Sequence, residues 1–150
     1  MSLYTIFKIS AQGMTAQRER LEAASANLAN ANSTRAANGK PYQRRDVVFT
    51  AIDVNDQWNE ASAGSGLAGN RIKPQGVSSE VVVADENDFV MQHQPWNPDA
   101  DKDGYVRMPD VDPLEETVNM MSAARAFEAN ATVFGTAKEL ARVSLNLGDV

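Results

Sequence analysis

The sequence predicts an α+β fold: long N- and C-terminal helices pairing as a coiled-coil-like rod, with a small irregular β domain inserted between them. Three observations carry this. Residues 3–31 repeat apolar side chains at alternating spacings of three and four. The middle of the chain trades that period for short β-branched runs separated by Gly, Ser and Pro. The final segment resumes a helical period behind a strong helix-start signal. The chain accordingly divides into 1–34, an N-terminal assembly helix, 35–111, a linker and small β domain, and 112–150, a C-terminal assembly helix.

The first helix aligns Leu3, Phe7, Ser10, Met14, Gln17, Leu21, Ala24, Leu28 and Ala31, seven of the nine apolar. Lys8, Arg18, Glu19 and Glu22 occupy the opposite face, the pattern of an amphipathic helix with a coiled-coil-like seam. Gly13 weakens it by about 1 kcal/mol relative to Ala. Asn27, Asn30 and Asn32 then crowd its end. Asparagine is a mediocre helix former because its short amide competes for nearby backbone groups. The run is either a fraying helix end or a set of amides bonded to something beyond the helix. Asn38-Gly39-Lys40-Pro41 closes the segment with a turn.

In the middle, Val47-Val48-Phe49 and Val81-Val82-Val83 read as strands. Residues 60–70 are a Gly/Ser/Ala loop expected to be flexible. Lys73-Pro74-Gln75-Gly76 predicts a turn or an irregular strand edge. Phe89–His93 and Tyr105–Met108 predict a further strand pair joined by an Asp-rich turn. The second helix starts at Asp112-Pro113-Leu114-Glu115-Glu116. Asp112 suits the N-cap, Pro113 the first helical position, and the two glutamates the positive helix end. Its seam is Met120, Ala124, Phe127, Ala131, Phe134, Ala141 and Leu145, interrupted by Lys138. Val118, Met121, Val133, Ala137, Leu140 and Leu147 widen it, and Gly148 is the stop signal. About 35 helical residues span roughly 50 Å, long for a compact domain of this size.

Composition limits the function. The chain has 150 residues, 43% of them apolar, and much of that share is Ala, which contributes little burial. A monomer built from it is weakly stabilised, so part of its core is expected to come from neighbouring subunits. Residues 1–50 carry seven Lys/Arg against three Asp/Glu, net +4; the remainder carries seven against seventeen, net −10. Nucleic acid is a poor partner for an acidic chain whose basic residues lack an aromatic platform. Opposite-sign contact between like subunits fits better. No apolar run reaches the roughly 18 residues of a membrane span, and no direct lipid binding is expected. Ala24-Ser25-Ala26 resembles a signal-peptidase site, yet Arg18, Glu19, Arg20 and Glu22 stand where an apolar core is required. Export, if any, is expected to proceed without cleavage of this end. With no cysteine, the redox compartment is unconstrained.

No catalytic constellation emerges, and neither a cofactor nor an enzymatic activity is expected. Asp99-Ala-Asp-Lys-Asp-Gly104 matches the first half of a calcium loop. However, its twelfth position is Asp110 rather than Glu, and Pro95, Pro98 and Pro109 deny it flanking helices. An Asp-rich turn between strands accounts for the same residues without metal. His93 is the single histidine, so no histidine cluster can exist. Trp58 and Trp96 border loops and suit packing or interface anchors. Lys40, Arg44 and Arg45 suit an anion site less well than a solvated or intersubunit face.

The segments Met1-Ser-Leu-Tyr-Thr-Ile-Phe7 and Ala24-Ser-Ala-Asn-Leu-Ala-Asn-Ala-Asn-Ser33 resemble the N-terminal signature of bacterial flagellar axial proteins. Three further stretches resemble the proximal rod (FlgC) family in particular: Gly39–Phe49, Asn97–Val111 with its Gly-Tyr-Val turn, and Glu115–Asn130. The likeness covers roughly two thirds of the chain, and residues 54–76 carry little of it. It implies a structural, non-enzymatic subunit of the basal-body rod. Such a protein is exported unfolded by the flagellar type III apparatus, without a cleaved signal, and assembles in the periplasm. The implied partners are further copies of the chain, the rod proteins FlgB, FlgF and FlgG, the rod–export-gate junction protein FliE, and the export apparatus.

The candidate site is then an assembly interface formed by Leu3, Phe7, Met14, Leu21, Asn27, Leu28, Asn30, Met120, Met121, Phe127, Phe134, Leu140 and Leu145. Asn27 and Asn30 are expected to bond groups across the helix junction. Isolated helices are marginal in water, so both ends are expected to stay loose before assembly. The residues alone leave a second reading open, a soluble coiled-coil adaptor recruiting a partner through its acidic β insert. Within the family, another rod subunit, FlgB-like or distal, is open too.

Overall fold

The computed structural model describes residues 3–35, 39–54, 74–85 and 88–148. Their order is α1 (Leu3–Asn30), β1 (Arg45–Asp53), β2 (Gln75–Val83), β3 (Phe89–His93), β4 (Tyr105–Pro109) and α2 (Pro113–Gly148). This is the expected α+β arrangement, two long helices flanking a small antiparallel β region. The Gly/Ser/Ala loop at 60–70, Trp58 and Lys73 lie outside the described residues.

Each helix boundary has a local cause. Asp112 caps α2: its Oδ1 accepts the Leu114 amide at 2.8 Å, and its carbonyl takes the first intrahelical bond from Glu116 N at 3.0 Å. At the other boundary α1 unwinds through a tighter turn, with Ser33 N donating to Asn30 O at 2.9 Å. Gly39 follows at φ +78°, a left-handed conformation that a side chain resists.

The strands form two separate two-stranded sheets, β1 with β2 and β3 with β4. In the second, Phe89 faces Pro109, Met91 faces Arg107 and His93 faces Tyr105. All four expected strand runs lie within these elements. Gln75 and Gly76, expected in a turn or irregular edge, open β2 instead.

Two compact units make up the chain. One draws on residues 1–17, 49–79 and 125–150, the other on 18–48 and 80–124. In the first, the Phe7 ring meets Phe134 edge-on at 4.9 Å. Six residues further along α1, Gly13 faces Asn130, four residues earlier in α2, so the two helix segments run antiparallel. A Cβ on Gly13 would stand 3.0 Å from Asn130 Nδ2, which is why this position approaches so closely. Lys8 Nζ donates to Val54 O at 3.2 Å, and Gly76 lies against the Gln12 and Val54 side chains. In the second unit Arg20 Nη2 donates to Asn119 Oδ1 at 2.9 Å, and Val106 and Met108 of β4 are buried.

The most buried stripe of α1 is not the seam of large apolar residues. Thr5, Ser10, Ala16, Ala23, Ala24 and Asn27 are buried there, with Ala31 just past the helix end, and Ala123 and Ala137 in α2. Counting about 100° per residue, the centre of the α1 stripe is rotated roughly a third of a turn from the Leu3–Met14–Leu21 line. Small side chains let helix backbones approach closely, and the large ones are displaced to the flanks.

Candidate functional site: the helix–linker junction and the assembly faces

Asn27 organises the junction. It is 1% exposed, and its amide binds the backbone of Arg45 twice, as a neighbouring strand would. Nδ2 donates to Arg45 O at 2.8 Å, while Oδ1 accepts Arg45 N at 2.9 Å and the Tyr42 hydroxyl at 3.0 Å. An amide carries both a donor and an acceptor, which is what one exposed peptide edge requires. The helix end is thereby clipped to the start of β1. Asn30, expected to reach across the junction, instead donates to Ala26 O of its own helix at 2.8 Å and accepts from Ser33 Oγ at 3.3 Å.

Beside Asn27 lies a charged cluster. Arg44 Nη2 donates to Glu115 Oε1 at 3.1 Å. Its Nε stands 3.2 Å from Glu116 Oε1 and 3.3 Å from Asp46 Oδ1, near enough for ion pairing though not aligned for a hydrogen bond. Glu116 is 2% exposed. Burial pushes its carboxyl above the usual carboxylate value; the Asn27 amide and Arg44 pull it down, and Asp46 and Glu115 add to the rise. Burial opposes the Arg44 cation, but its bond to Glu115 and the surrounding carboxylates hold its pKa above the ordinary value. Burial raises Tyr42 as well, against the charge of Arg45. Arg44, read from the sequence as a solvated, intersubunit or anion-binding residue, is therefore engaged within its own chain.

The Asp-rich turn uses its acids structurally. Asp101 Oδ1 accepts the amides of Asp103 and Tyr105 at 3.0 and 2.8 Å, and Gly104 sits at φ +81°. Asp99 accepts Thr34 Oγ1 at 2.7 Å and pairs with Arg35 at 3.3 Å. Among the described residues no group of three or more acids, histidines or cysteines is placed to hold a metal ion.

The apolar assembly candidates lie at or near the surface. Phe7, Met14, Leu21, Leu28, Met120 and Phe134 are half-buried; Leu3, Met121, Phe127, Leu140 and Leu145 are exposed, Leu145 by 73%. Exposed Leu114, Val118, Met121, Val133, Leu140, Val143 and Leu147 fall within about 120° of α2, on the side away from Glu116, Ala123 and Ala137. Thus α2 carries a second apolar face that no described residue covers. The sequence seam and its flanking row included Ala24, Ala31 and Ala137, but sequence reasoning missed the buried Ala16, Ala23 and Ala123, and Glu116 with its pairing to Arg44. Those three shared the helical period, but large residues outweigh them in any apolar count. Glu116 offered no signal beyond a favourable helix start.

Comparison with known proteins identifies the family. Residues 7–36 match the model described as flagella basal body rod protein, and residues 102–147 that described as flagellar basal body rod FlgEFG protein C-terminal. The flagellar basal-body rod protein FlgC of Bacillus subtilis is 37% identical over 154 aligned residues, covering 99% of each chain. That of Escherichia coli O6:H1 is 38% identical over 148, again covering 99% of each, and that of Borreliella burgdorferi 36% over 149, covering 97% of each. At such identity over essentially full length, the chain belongs to the FlgC family of flagellar basal-body rod proteins.

Proposed function

We infer that this chain is a structural subunit of the flagellar basal-body rod that polymerises through its terminal helices. One observation carries the reading: most large apolar side chains of α2 stand at the surface and those of α1 are at most half-buried, while small ones fill the buried stripes. A helix face of this kind is stabilised when a neighbour covers it, at about 25 cal/mol per Å² buried. Subunits so joined form the drive shaft that transmits torque, in its proximal part. The neighbours of this reading are further copies, the rod proteins FlgB, FlgF and FlgG, and the junction protein FliE. Delivery is through the flagellar export apparatus to the periplasm, without cleavage of the N-terminus. Membership of a structural rod family supports a non-enzymatic role.

The test replaces exposed residues. Leu140→Glu with Leu145→Glu leaves the fold of the chain intact by circular dichroism, yet removes it from isolated basal bodies and abolishes motility. Normal motility in that strain refutes the reading. Electron microscopy of basal bodies lacking the chain gives its position, with assembly expected to stop at the proximal rod. A soluble adaptor would instead form a stable small oligomer in isolation, which sedimentation detects.

A further inference from the structure

The turn between β3 and β4 holds a bare tryptophan on a firm support. Trp96 is 81% exposed, the largest exposure among the large apolar residues described. The turn beneath it is tied by backbone bonds: Gln94 N to Gly104 O at 2.9 Å, Asn97 N to Gln94 O at 3.0 Å, and Asp101 N to Tyr105 O at 2.8 Å. A ring held out to water on a fixed turn loses little conformational entropy on binding, and tryptophan is enriched among residues that dominate interfaces. It continues into an outward sheet face. His93 stacks obliquely on Tyr105 at 5.1 Å, and the Arg107 guanidinium lies 4.9 Å over the Phe89 ring.

Charge selects the occupant. Residues 96–112 hold five Asp against Lys102 and Arg107, net −3, while the first fifty residues of the chain are net +4. Within those, Lys40 and Arg45 are exposed. Cations over indole add to the attraction. We propose that Trp96 and its acidic turn dock the basic segment around Lys40 and Arg45 of a second copy of this chain. Because the two faces differ, the contact is head-to-tail and passes from copy to copy instead of closing a two-fold dimer. The proposal rests on the rod reading and adds to it a contact outside the terminal helices.

The experiment places the photocrosslinking residue p-benzoylphenylalanine at position 96 of the full chain and irradiates assembled basal bodies. The expected product joins position 96 to a peptide containing Lys40 or Arg45 of a second copy. A crosslink to another protein or another segment, or none from incorporated chain, overturns the docking while leaving the rod reading standing. Absence of the wild-type chain from the particles overturns the rod reading and the docking with it. In a second arm, Asp103→Lys and Lys40→Glu each lower incorporation, and the pair together restore it; failure of the pair to restore it overturns the proposal.

Discussion

Replacing Asn27 gives the sharpest test of the junction. In Asn27→Ala three hydrogen bonds disappear, those with Arg45 O at 2.8 Å, Arg45 N at 2.9 Å and Tyr42 Oη at 3.0 Å. At a net value of about 1 kcal/mol each, the loss is about 3 kcal/mol. The better helix propensity of Ala returns about 0.5 kcal/mol. A net destabilisation of about 2 to 3 kcal/mol is expected, a large share of the roughly 5–15 kcal/mol that holds a typical domain.

Asn27→Asp separates hydrogen bonding from packing. The carboxylate keeps the acceptor for Arg45 N but turns the donor into a second oxygen, 2.8 Å from the Arg45 carbonyl and beside Glu116. At neutral pH it is expected to be worse than Ala despite its matching shape. Protonation restores the donor, so its folded-state pKa lies above the roughly 3.9 of free Asp. The stability it regains is then fully present below that value and lost as pH rises. Urea titrations of the full chain, followed by far-ultraviolet circular dichroism at pH 7 and pH 4, read both variants. An Ala variant within about 0.5 kcal/mol of wild type, the range of ordinary surface substitutions, refutes the assignment. So does an Asp variant that tolerates pH 7 as well as Ala does.

Three further expectations follow from the same geometry. Glu116, with its pKa raised chiefly by burial, contributes stability fully present below the unfolded value of 4.5 and lost as pH rises through the folded pKa. Wild type therefore gains stability relative to Glu116→Gln between pH 7 and about pH 4.5, and parallel pH profiles would contradict this. At Gly13, Ala gains about 1 kcal/mol of helix propensity but must displace the Asn130 side chain, so it is expected to be near neutral. Leu at Gly13 must separate the helix segments and cost about 1–3 kcal/mol by overpacking, measured by thermal unfolding; a stable Leu variant would show that the close approach is dispensable. In hydrogen exchange on the free chain, amides of 24–30 are expected to outlast those of 140–147, where every side chain but Ala141 is exposed. Equal protection would show that the junction does not anchor α1.

The fold was largely legible because its elements announce themselves locally. The α2 start needs only Asp112, Pro113 and two glutamates, and Asp112 does accept the Leu114 amide. The strand Phe89–His93 follows from one apolar run between turns. What stayed hidden depends on contacts distant in sequence. No local pattern tells that Asn27 meets Arg45, or that Asn30, three residues on, finds its partners among the described residues within its own helix end. The helical period located an apolar side of α1, but not which part of it is buried. Hydrophobicity weights Leu21 above Ala23, whereas close helix packing selects the smaller residue.

That inversion between size and burial bears on what the chain is for. A helix meant to finish its core within one chain buries its largest apolar residues, since each is worth about 1.5–3 kcal/mol when covered. Here Ala16, Ala23, Ala123 and Ala137 are covered, while Leu114, Leu140, Leu145 and Leu147 are left out. The contacts made within the chain are enough to set the antiparallel course of the helix segments, through Phe7 against Phe134 and Gly13 against Asn130. On the proposed reading, the larger apolar area remains for neighbours. A subunit that must stay soluble and pliant until it reaches the growing end of a polymer is served by this division. Small residues and a few placed amides set the course of the chain, and on the proposed reading the covering of its large apolar residues is left to the assembly.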